Sequence, residues 1–155
     1  MSTPDNIDQF NRVVLHSFDR LYAAFPMPTE INVAEIAALA NPASDQAKQT
    51  EPSFEILEPT FESLAFLKDE GLLKYSDHYV EGTTLYQAQL TMKGITVLGQ
   101  TLDSANQESL IARMRSVLRD KAKEDNAVQA QQIVLTLFAL AIAATSSANL
   151  FKAKP

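Results

Sequence analysis

The side chains able to do chemistry in this 155-residue chain are few and scattered. Its two histidines, His16 and His78, stand in no HxxxH or HxH spacing, and there is no cysteine, so neither has a neighbouring ligand with which to hold a metal. Glu58 and Glu62 are an i, i+4 pair, which one helical turn places on the same face. Without a histidine or a third ligand they read as a solvated surface rather than an acid–base couple. Ser104, Ser146 and Ser147 have no base beside them in the sequence, and four glycines form no phosphate-cradling loop. The lack of cysteine also excludes a disulfide framework and thiol catalysis. The expectation is a non-enzymatic protein with no catalytic residue, metal or cofactor.

The elements that would position these residues can be read from spacing. Phe10, Val14, Phe18, Leu21 and Phe25, flanked by Val13 and Tyr22, predict a helix over 7–25 with one apolar stripe. Arg12, His16 and Asp19 fall on its opposite face, which makes His16 a solvated residue. Pro26 and Pro28 end this helix. Asn32, with Glu35 three residues on, caps a second helix over 33–40 that buries Val33, Ile36, Ala37 and Leu39. Residues 41–53 read as a polar loop. A third helix is expected from about Pro59, with Phe61, Leu64, Ala65 and Leu67 inward and Gly71 as its left-handed stop. Phe54, Ile56 and Leu57 would cover the core just ahead of it.

Strands follow at 72–75 and 84–90. In the second, Tyr86, Ala88 and Leu90 alternate with Leu85, Gln87 and Gln89, as in a sheet with one buried face. The turn between them, 77–83, contains Glu81-Gly82 and places His78 where it could meet a partner. Thr91 caps a short helix through about Leu98, and Ser104 with Gln107 makes a second capping-box pattern. Leu110, Met114, Val117, Leu118 and Lys121 share one side of a later helix over 110–123, made basic by Arg113, Arg115, Arg119, Lys121 and Lys123.

FLKDEGLLK followed by LTMKGI resembles the second half of many bacterial winged helix-turn-helix proteins, over about residues 7–99. The resemblance implies three helices and a β-hairpin wing over 1–100; with the helical spacing that follows, the expected fold is α+β and predominantly helical, with a C-terminal helical extension over 101–155. It also raises DNA binding, since that fold serves both DNA and protein recognition.

Charge argues against DNA. Residues 1–100 carry six Lys/Arg against fourteen Asp/Glu, a net of −8, while 101–155 carry seven against five, a net of +2. DNA affinity rests largely on cations that neutralise phosphates. The presumed recognition helix and its approach offer Glu55, Glu58, Glu62, Asp69 and Glu70 against Lys68 alone. As a dimeric DNA-binding regulator, the alternative reading, the chain would draw on Lys48, Lys68 and Lys74. The basic segment 110–123 reads either as an anionic-surface contact or as a solvated face or internal partner for the acidic half.

No charged residue occurs from Asn126 to Phe151. As a helix this stretch is about 35–40 Å long, enough to span a bilayer, but its strongly apolar part is only 133–144. A helix buried in the fold or in a homodimer is favoured over a membrane span. In a homodimer Leu135, Phe138 and Ile142 would be central, with Ile133, Leu137 and Leu140 packing back on their own subunit. The start of the chain lacks a basic and an apolar signal region, which suits the cytoplasm. The expected partner is therefore a second copy or another protein.

Overall fold

The structure, a computed structural model, describes residues 5–41, 54–76, 82–103, 108–119 and 126–153. In chain order the elements are α1 (Asp5–Ala24), β1 (Thr29–Asn32), α2 (Val33–Ala40), α3 (Phe54–Asp69), β2 (Leu73–Ser76), β3 (Thr84–Leu90), α4 (Met92–Leu98), β4 (Thr101–Asp103), β5 (Glu108–Ser109), α5 (Leu110–Arg119) and α6 (Asn126–Ala153). The described part is thus mostly helical, with a three-stranded antiparallel sheet in the order β1-β3-β2 and a separate β4-β5 hairpin.

α1 is the centre of the molecule. Val13, Val14, Phe18 and Leu21 are buried as the stripe requires, but Leu15, Asn11 and Ser17 are buried as well. The reason is that α2 and α3 pack on α1 together with α5 and α6, so it has no wholly solvated face. His16 is half-buried rather than solvated. A single apolar stripe understates the burial of a helix whose second contact side is written in Asn, Ser and His. Phe25 lies just past the helix end and is exposed.

The alternation expected in β3 breaks at Gln87, which adopts a left-handed φ of 56°. From Thr29 to Ile31 the partner moves from Ala88 to Leu85, and from Lys74 to Ser76 it moves from Gln89 to Tyr86. β3 therefore carries one extra residue against both neighbours, which is a β-bulge. Leu85 joins Ala88 and Leu90 in the core, while Tyr86 and Gln87 both face outward.

α3 starts at Phe54, earlier than Pro59 suggested, so that Pro59 lies inside the helix. The extra turn buries Ile56, and two hydroxyls return hydrogen bonds to backbone carbonyls: Thr60 Oγ1 to Ile56 O and Ser63 Oγ to Pro59 O, both 2.7 Å. At the other end Gly71 has φ of 78°. Its N–H bonds Lys68 O at 2.9 Å and the Leu72 N–H bonds Leu67 O at 3.1 Å, the paired closure of a Schellman stop.

One core continues from the first half of the chain into the last. Leu110, Ile111, Met114 and Val117 of α5 and Ala130, Ile133, Val134, Leu137 and Ala141 of α6 are buried in the same cluster as Val14, Phe18, Leu64 and Leu98. Arg115 adds a 2.7 Å bond to Asp19 and places its guanidinium 5.1 Å from the Tyr22 ring centroid, so part of the basic segment faces the acidic half internally. The side chain of Ser109 caps α5, accepting from the Ala112 N–H at 3.2 Å. Ser104, Gln107, Lys121 and Lys123 lie outside the described residues. Among those described, no helix is long and apolar enough to cross a membrane.

Candidate functional site

The Leu-Thr-Met-Lys-Gly segment, the most family-like part of the sequence, is occupied with holding the backbone together. Thr91 Oγ1 accepts from the Gly94 N–H at 3.0 Å, which caps α4, and donates to Gly71 O at 2.6 Å. The Thr91 N–H bonds Leu72 O, and Lys93 Nζ bonds Glu70 O at 3.1 Å. Gly94 is required sterically: a Cβ there would sit 2.1 Å from Leu72 O. Three residues of the segment thus clamp the 70–72 turn at the end of α3.

That clamp fixes one wall of a groove of about 730 Å³. Ile7 and Phe10 of α1, Glu62, Ser63 and Phe66 of α3, Glu70, Leu72, Lys93, and Phe138, Ala141 and Ile142 of α6 line it. Its floor is an aromatic trio. Phe10 stacks on Phe138 with centroids 5.9 Å apart and planes 13° apart, and Phe66 meets both edge-on at 5.7 and 6.1 Å. Such pairs each contribute about 0.5–1.5 kcal/mol beyond the area they bury. Phe66 nevertheless remains 47% exposed.

The groove's lining is mainly apolar, and its charged members are Glu62, Glu70 and Lys93. Glu58, Glu62, Phe66 and Glu70 follow one another at four-residue spacing, so an exposed stripe from α3 into its terminal turn carries three carboxylates and one phenyl ring. Lys93 is the cation lining the groove, and its ammonium is directed to the Glu70 carbonyl. The spacing of this stripe was legible in the sequence. Its meaning was not, because the aromatic trio needs α6 to return past α1.

Of the candidate DNA contacts, the two among the described residues, Lys68 and Lys74, do not share a surface. Lys68 Nζ sits 4.6 Å over the Tyr75 ring. Lys74 is exposed on β2, and as the strand neighbour of Tyr75 it projects to the opposite face. Lys48 and His78 lie outside the described residues. Of the candidate interface residues, Leu135 and Ile142 point outward on α6, whereas Phe138 is half-buried in the aromatic trio of its own chain. Among the described residues no group of three or more His, Asp or Glu could hold a metal ion.

Comparison with known proteins returns no match: no family model fits the chain, and no characterised protein or solved structure matches it.

Proposed function

We propose that this chain is a non-enzymatic winged-helix protein that serves as a protein-interaction or self-association module. The winged-helix reading is supported by the element order and the sheet: β1 falls between α1 and α2, the β2–β3 hairpin follows α3, and β3 is central. In that fold α3 would be the reading helix, and its outward side chains decide what it can read.

The observation that carries the function is the Glu62–Phe66–Glu70 stripe beside the aromatic groove. A phosphate backbone would meet repulsion there. A basic amphipathic helix would insert apolar anchors at i, i+3 or i+4 between α3 and α6 and set its Lys or Arg residues against the carboxylates. Its occupant is therefore a basic amphipathic segment of a partner protein.

Fluorescence anisotropy tests this with two labelled amphipathic peptides sharing one apolar pattern, one lysine-flanked and one glutamate-flanked. The lysine peptide should bind selectively and more weakly with added salt, and Phe66→Asp should abolish binding. Equal binding of both peptides, or of neither, would refute the groove reading. A mobility shift with duplex DNA across salt concentrations tests the alternative, a dimeric DNA-binding regulator. Salt-sensitive retardation by the folded protein would favour that alternative.

A further inference from the structure

We infer that α6 is the seam along which two copies of this chain associate. This rests on the self-association part of the function proposed above, and of the groove's lining it shares Ile142 alone. The buried side of α6 is already taken by its own core. The opposite side carries Val128, Leu135 and Ile142, which are 49%, 61% and 67% exposed. They recur at seven-residue intervals, and Gln132 and Ala139, both exposed, lie between them. The resulting 4-3-4-3 spacing is the seam of a two-helix coiled coil, a pattern complementary to another helix of the same period.

Charge selects a second copy as that other helix. α6 bears no Asp, Glu, Lys or Arg up to Phe151, whereas residues 1–100 are net −8, so two copies meet without repulsion along this face and repel where their acidic first hundred residues face each other. A partner chosen for the acidic surface would be basic and would find nothing on this stripe to pair with. A two-fold contact requires one patch to suit itself, and an uncharged aliphatic stripe meets that requirement. Gln132 meets it as well, since its amide both donates and accepts. Ala139 leaves room for the helices to approach closely. At 28 residues α6 is about 42 Å long, which gives the seam several turns of contact.

Analytical ultracentrifugation of the full chain should give a dimer of twice the 17.1 kDa chain mass at sub-millimolar concentration. Leu135→Glu should weaken the dimer by roughly tenfold or more while leaving the circular dichroism spectrum unchanged, because it sets two charges against each other in a desolvated seam. Phe66→Asp should leave the dimer intact, which separates this result from any failure of the groove. Because the chain has no cysteine, a single Ala139→Cys substitution reports directly: a short bis-maleimide should cross-link it faster than Ala112→Cys, an exposed control on α5. A wild-type monomer, a dimer indifferent to Leu135→Glu, or equal cross-linking at the two cysteines would each overturn the inference.

Discussion

The two helices that flank the groove, α3 and α6, differ in how their sequences are used. α3 is punctuated throughout: hydroxyls bond back into its backbone, Gly71 closes it, and Thr91, Lys93 and Gly94 secure its terminal turn. Its outer face is acidic. α6 carries no charge up to Phe151, and yet Ile133, Val134, Leu137 and Ala141 on its inner side are buried in the core. The contrast shows that the recognisable motif maintains the scaffold. The unmotivated stretch behind it completes the core, floors the groove with Phe138 and leaves an aliphatic stripe outside. Resemblance to a DNA-binding pattern resides in residues that touch backbone, so it carries little information about what the surface binds.

The comparison breaks most sharply at Leu137, which is fully buried on α6. If α6 is integral to the core, Leu137→Ala should lower unfolding stability by about 2–5 kcal/mol in urea titrations. A loss near zero would make α6 an appendage. Next in size is Gly94→Ala. The new methyl group would meet the Leu72 carbonyl, a backbone atom that cannot rotate away, and the expected loss is about 3 kcal/mol, at the upper end for overpacking. Stability like wild type would remove the steric account of the Lys-Gly pair.

Smaller effects sharpen the picture. Thr91→Ala removes a cap and the bond to Gly71 O and should lower stability by about 1–2 kcal/mol, while Met92→Ala, at an exposed neighbour, should stay within about 0.5 kcal/mol. Arg115→Ala should lower it by no more than about 1 kcal/mol, because the pair with Asp19 is partly solvated. Thermal melts suffice for both comparisons. An Arg115 effect as large as that of Gly94 would mean that charge, rather than packing, holds α5 to α1.

Much of this architecture is legible in sequence where local rules govern it. Asn32 capping, the Gly71 stop, the Thr91 cap and the strand at 84–90 depend on neighbours within a few residues, and spacing reveals them. The start of α3 does not follow from Pro59, because the burial of Ile56 outweighs the helix-breaking tendency of an internal proline. The Gln87 bulge is equally hidden, since its register is set by two partner strands rather than by the local alternation. The groove escaped for a third reason. Phe10, Phe66 and Phe138 are far apart in the chain, and only the return of α6 past α1 brings them together. Lys68, a plausible phosphate contact by position, is drawn over Tyr75 by a strand that begins only after the Gly71 turn.

The central claim is that the acidic, aromatic groove between α3 and α6 is the binding surface, and amide chemical-shift mapping during titration with the lysine-flanked amphipathic peptide tests it most directly. The account predicts perturbations clustered at Ile7, Phe10, Glu62, Phe66 and Ile142, with Lys74 and Gln87 unchanged. Perturbations centred on β2 and β3, or spread evenly over the acidic surface, would contradict it.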